Sequence, residues 1–120
     1  MGKDIQFILQ VTVEEGRIEE FKRLVEEITR AVDLNEPSTK SYQYHLNDDE
    51  TKCVISELYA NSEAALAHVN GVPVQTILPK IFSISKINRF EVLGDPSEEL
   101  QEALTKSGSQ FYHFFSGFTR

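Results

Sequence analysis

The chain has no tryptophan, one cysteine and one methionine among its 120 residues. A single thiol, Cys53, excludes an intrachain disulfide and fits a reducing compartment. No His or Asp is spaced around it as a catalytic partner would be, so Cys53 reads as a small buried apolar group. No apolar run approaches the ~20 residues a membrane span requires. The opening MGKDIQFILQVTVEEG is too interrupted for a secretory segment, and Gly2 lacks the Ser or Thr at position 6 that myristoylation favours. Basic residues are outnumbered 12 to 19, for a net charge of −7. That balance argues against nucleic acid and against an anionic membrane as main partner, since both need clustered Lys and Arg. The three histidines are scattered, without HxH, HExxH or CxxC, so no metal is expected, and the glycines form no phosphate loop. These absences leave a soluble cytoplasmic domain as the expectation.

What is present is ordinary globular material, 40% hydrophobic and 26% charged, in one core's worth of chain. Ile5, Phe7, Leu9, Val11 and Val13 alternate with mostly polar neighbours and predict a first strand, closed by Glu14-Glu15-Gly16. Ile18, Phe21, Leu24, Val25, Ile28, Ala31 and Val32 then recur at helical spacing and predict about four turns with one buried stripe. Glu19–Arg23 and Glu26–Arg30 lie four apart on the solvated side. Asn35-Glu36-Pro37-Ser38 terminates that helix.

Residues 41–69 predict strand, polar turn at Asn47-Asp48-Asp49-Glu50, strand, then helix. Folding about that turn puts Tyr44 opposite Cys53, Tyr42 opposite Ile55 and Lys40 opposite Glu57. Tyr42, Tyr44, Glu57 and Tyr59 then share one face, while Gln43, His45, Val54, Ser56 and Leu58 take the other. Asn61 or Ser62 caps the following helix, which carries His68, and Gly71 ends it. Pro73 opens a further short helix that Pro79 kinks or stops. Ile84 to Leu93 predicts a fourth strand. Asp95, Pro96 and Glu98 predict a capped helix running to Lys106, and Phe111 to Phe118 form an aromatic tail.

The order is strand, helix, strand, strand, helix, strand, with an appended helix and tail. The economical solution is α+β: a ferredoxin-like βαββαβ with one antiparallel sheet and helices on one face. The domain is expected over residues 1–94, with 95–120 packed on it or on a partner. The sheet's other face predicts a homodimer packed sheet to sheet.

Gly16 with the Phe21 helix, Glu36-Pro37 leading to Ser41-Tyr42, and Asn47-Asp48-Asp49 are family features. So are Glu57-Leu58-Tyr59 and Ser62-Glu63-Ala64-Ala65-Leu66-Ala67-His68. Over roughly residues 5–93 the chain resembles the antibiotic-biosynthesis monooxygenase family of dimeric α+β barrels. The resemblance implies a homodimer with a pocket between helices and sheet in each subunit. It implies either oxidation of phenolic or quinol-type aromatics by dioxygen without metal, flavin or other cofactor, or haem binding and degradation. The haem degraders rely on a tryptophan, which this chain lacks, and Tyr59 stands where relatives often carry one.

His68 is the candidate catalytic base, able to take a phenolic proton, with Ala64, Ala65 and Ala67 leaving room for a flat ligand. The structural alternative is a histidine hydrogen-bonded at the helix–sheet seam. Glu57 is expected to orient His68 or hold a ligand hydroxyl, or else to pair with Lys40. Tyr42, Tyr44 and Tyr59 are candidate pocket walls for a small aromatic molecule, although sheet packing recruits the same residues. His45 is read as a surface or interface residue. His113 could close a pocket, but its tail is read first as a strand capping an exposed edge. A non-catalytic small-molecule-binding dimer and a haem-binding protein are the competing functions.

Overall fold

The computed structural model describes residues 3–120; Met1 and Gly2, the latter read above for lipidation, lie outside the described residues. The first strand, β1 (Ile5–Val13), buries every second residue. Helix α1 (Ile18–Asn35) follows, at 18 residues five turns rather than four, and buries Phe21, Leu24, Ile28 and Val32. Its ion pairs differ from the expected ones: Arg17 meets Glu20 at 2.6 Å, and Lys22 reaches across to Glu50 at 2.8 Å. The strands β2 (Thr39–Leu46) and β3 (Lys52–Tyr59) form the hairpin. Helices α2 (Ser62–Val69), α3 (Val72–Thr76) and α4 (Leu78–Phe82) come next, then β4 (Ser85–Leu93), α5 (Glu98–Leu104) and β5 (Gln110–Tyr112).

The open sheet has the order β2-β3-β1-β4-β5. The first four strands are antiparallel neighbours in the ferredoxin-like arrangement, but β5 runs parallel to β4, so the sheet is mixed. The parallel addition follows from α5, since a strand returning beside its predecessor in the same direction needs a crossover. The edge-capping strand expected of the tail is therefore present, though it spans only Gln110–Tyr112.

The hairpin register differs from the expected one by two residues. Leu46 faces Cys53, Tyr44 faces Ile55 and Tyr42 faces Glu57. The turn closes one residue later than anticipated: Asn47 N–H donates to Lys52 O at 3.1 Å, and Lys52 N–H donates to Asn47 Oδ1 at 2.9 Å. Glu50 takes the left-handed conformation (φ 59°) that this loop needs. A shift of two preserves the faces. It removes Lys40 from Glu57, however. Lys40 sits at a register irregularity between Thr39 and Ser41, with Nζ 3.4 Å from Asp4 Oδ1.

Two caps also resolve. Asn61 Oδ1 accepts from Ala64 N–H at 2.8 Å, while Ser97 rather than Asp95 caps α5, its Oγ accepting from Leu100 N–H at 3.1 Å. Pro73 and Pro79 each lie in the first turn of a short helix, and Ile77 is the joint between them.

All the helix-facing side chains of β1 and β3 are buried, Glu57 among them, and they join α1, α2 and α5 in one core. On the other face Ile8, Val54, Leu58 and Leu93 remain half-exposed among Gln6, Gln10 and Ser56. Among the described residues no helix is long and apolar enough to cross a membrane.

Candidate functional site

The C-terminal half of α2 projects His68 onto the helix-facing side of the sheet, where it is only 4% exposed. An imidazole so far from water must find partners within the protein. Nδ1 lies 2.7 Å from Glu36 Oε1, and Nε2 lies 3.4 Å from Glu57 Oε1. Two phenol rings of the sheet stand against it, with the Tyr42 and Tyr59 centroids each 5.3 Å from that of His68. The carboxylate at Nδ1 calls for a donor there, so Nδ1–H donates to Glu36, and Nε2 is turned toward Glu57.

Glu57 is held on β3 directly across from Tyr42 and from Phe7 of β1. Tyr59, two residues on and so on the same face, donates its hydroxyl to Glu57 Oε1. Burial raises the proton affinity of the Glu57 carboxyl above the ordinary value and Glu36 adds to this, while His68 and the Tyr59 hydroxyl oppose it. The phenols of Tyr42, Tyr44 and Tyr59 are all pushed up, burial being the first cause and nearby carboxylates adding to it. They therefore act here as neutral donors. Tyr42 and Tyr44 share a hydrogen bond of 2.8 Å between their hydroxyls.

A cavity of about 210 Å³ opens beside Glu57 and His68. Its sheet wall is Phe7, Leu9, Ile55 and Phe90. Its helix wall includes Val69, Leu78 and Phe82, and Ala103, Leu104 and Ser107 close the far side. Tyr44 lines it, whereas Tyr42 and Tyr59 do not and stand one residue back, against Tyr44, Glu57 and His68. Ala64, Ala65 and Ala67, expected to leave room for a ligand, do not line this cavity. Ala64 and Ala67 border a separate outer cleft of about 470 Å³, on the side of Glu36. His45 and His113 are exposed, and neither lines the cavity.

The residue that sequence reasoning missed is Glu36. It was read as part of a helix terminator, yet it supplies the closest contact to His68 and also accepts from the Thr39 hydroxyl at 3.1 Å. Its Oε2 is buried without a partner. The one local signal was a carboxylate held just before Pro37 at the end of an amphipathic helix, which fixes its exit direction. Among the described residues no group of three His, Cys, Asp or Glu side chains is arranged to hold a metal ion.

Fold and site define an α+β protein with an apolar pocket and a buried carboxylate–imidazole–carboxylate group at its end. The chain belongs to the Antibiotic biosynthesis monooxygenase family, whose profile matches residues 5–79. MupZ from Pseudomonas fluorescens has a similar structure, with TM-score 0.85 and 22% identity over 98% of this chain and 95% of that one. A conserved protein of Bacteroides thetaiotaomicron VPI-5482 gives TM-score 0.69 at 20% identity, covering 79% and 100%. A Caulobacter crescentus CB15 protein named for the same family gives TM-score 0.67 at 19% identity, covering 79% and 92%. At these identities the likeness is one of fold. Comparison with curated protein sequences gives no match.

Proposed function

We propose that the protein oxidises a small phenolic or quinol-type compound with dioxygen, without metal or organic cofactor. The reading rests on one observation: His68 is fixed between Glu36 and Glu57 at the polar end of an otherwise apolar cavity. In this mechanism Nε2 of His68 takes the substrate's acidic proton, and the Glu36 carboxylate stabilises the imidazolium formed. The electron-rich anion passes an electron to dioxygen, and the radical pair collapses to a hydroperoxide at the substrate carbon. Loss of water leaves a carbonyl. One oxygen atom enters the product, and the other leaves as water with the two substrate hydrogens. Glu57, whose affinity for a proton burial raises, is the acid suited to protonating the departing oxygen.

The cavity limits the reacting part of the substrate. An apolar cavity of roughly 150 Å³ accepts benzene, so about 210 Å³ suits one substituted ring. Haem fits less well, since a cavity that suits one substituted ring does not hold a macrocycle of four. The half-exposed Ile8, Val54, Leu58 and Leu93 support a homodimer packed through the open sheet face. The buried, unpaired Cys53 accords with a reducing, cytoplasmic setting.

Oxygen uptake with simple quinols tests the reading. His68→Ala and His68→Gln should each lower uptake at least ~100-fold while leaving the circular dichroism intact. Uptake equal to that of the unaltered protein in both variants refutes the role of His68. Thermal stabilisation by quinols without any turnover would favour a binding protein instead.

A further inference from the structure

Different residues line the two sides of the wall in which His68 stands. Glu57 and His68 line the inner cavity, otherwise apolar but for Tyr44 and Ser107. Glu36 and Thr39 do not reach it and line instead the outer cleft of about 470 Å³ and a second of about 780 Å³. Close contacts join the two sets. His68 Nε2 is 3.4 Å from Glu57 Oε1, Nδ1 is 2.7 Å from Glu36 Oε1, and that same oxygen accepts from the Thr39 hydroxyl at 3.1 Å. We infer that His68, Glu36 and Thr39 form a proton wire through this wall, joining the inner cavity to water in the outer clefts. Its use in turnover rests on the function proposed above, but the wire itself does not.

The turn Glu36-Pro37-Ser38-Thr39 builds the outer end. Pro37 suits its second position, and Thr39 N–H donates to Glu36 O at 3.1 Å. That closure folds the Thr39 hydroxyl back onto the carboxylate that follows α1. The Glu36 side chain is 10% exposed, so half-exposed Thr39 is the member of the chain that meets water. A proton taken from a bound molecule onto Nε2 releases the one on Nδ1, which passes to Glu36 Oε1. The carboxyl proton then passes to Thr39 Oγ1, whose own hydrogen leaves to water. One proton enters the wire and one leaves it, and no bond between heavy atoms changes. In reverse, a solvent proton returns to Nδ1 and the Nε2 proton goes back to the cavity, which restores the resting tautomer. An apolar cavity thereby exchanges protons with solvent without admitting water.

The test uses the full chain and needs no substrate. The rate at which the His68 Nδ1–H exchanges with water, read by nitrogen-15 NMR, should fall at least ~10-fold in Thr39→Val. That variant keeps the branched side chain and leaves the contact between His68 and Glu36 in place, so a purely structural role for Thr39 would not alter the rate. Glu36→Gln keeps an acceptor for Nδ1–H but cannot take its proton. It should slow exchange as much, and it decides the matter should Thr39→Val fail to fold. The tautomer and the circular dichroism should be the same in both variants as in the unaltered protein. An unchanged exchange rate in folded Thr39→Val overturns the wire, because exchange would then proceed by opening of the fold. Slowed exchange in a protein that turns over no quinol removes the proposed function and leaves the wire standing.

Discussion

Replacing Glu36 by alanine isolates what positions the imidazole. In the native protein His68 Nδ1 is 2.7 Å from Glu36 Oε1, and His68 is 4% exposed, so the carboxylate and not water is its acceptor. An orphaned buried donor costs ~1–3 kcal/mol. The Thr39 hydroxyl also loses an acceptor but is only half-buried and can turn to solvent. Against this, the alanine removes Oε2, a buried carboxylate oxygen with no donor, which returns part of the loss. Glutamine at 36 keeps an acceptor for Nδ1–H without the charge and serves as the reference. Glu36→Ala is therefore expected to be about 1–3 kcal/mol less stable than Glu36→Gln. For a domain of this size that is a shift of roughly 1 M in the urea midpoint. Nitrogen-15 NMR of the imidazole should show the Nδ1–H tautomer in the unaltered protein and in Glu36→Gln, and its loss in Glu36→Ala. Equal midpoints and an unchanged tautomer in Glu36→Ala would refute the reasoning and leave the flanking rings of Tyr42 and Tyr59 as the groups that hold His68.

Glu57→Gln should stabilise the protein toward alkaline pH. Burial raises the folded-state affinity of Glu57 for its proton above the ordinary 4.5, so its contribution is complete below that pH and is lost as pH rises through the folded value. Thermal midpoints of the two proteins should coincide in acid and diverge as pH increases; parallel curves would contradict this. Cys53 is fully buried, and burial pushes its thiol up to about 11. It should resist a disulfide reagent at pH 8 until denaturant is added, and rapid labelling of the folded protein would count against the packing described. Gly94→Ala should cost at least ~1–3 kcal/mol. Its backbone is at φ +118°, and an added Cβ would come 2.6 Å from Asp4 O. Chemical denaturation reads the loss, and an unchanged midpoint would refute it.

Local periodicity made much of the fold legible. Alternation over Ile5–Val13 and the apolar stripe of Ile18–Asn35 gave β1 and α1, because each buries a single face. The hairpin faces survived an error in the turn, since slipping the turn by one residue moves the register by two. Lys40 did not survive it, because a pairing partner depends on register and not on face alone. His68 and Glu57 were legible as polar residues at positions whose neighbours demand burial. Glu36 was not: its link to His68 spans 32 residues and exists only once the end of α1 packs beside α2. The parallel direction of β5 was equally hidden, being set by the α5 crossover and not by any residue in the strand.

The stretch matched by the family ends at residue 79, whereas Ala103, Leu104 and Ser107 wall the cavity from beyond it. The buried imidazole and its two carboxylates thus lie inside the matched stretch, while one side of the cavity wall lies beyond it. Drift in the last quarter of the chain could reshape what the hollow admits without disturbing the imidazole that would act on it.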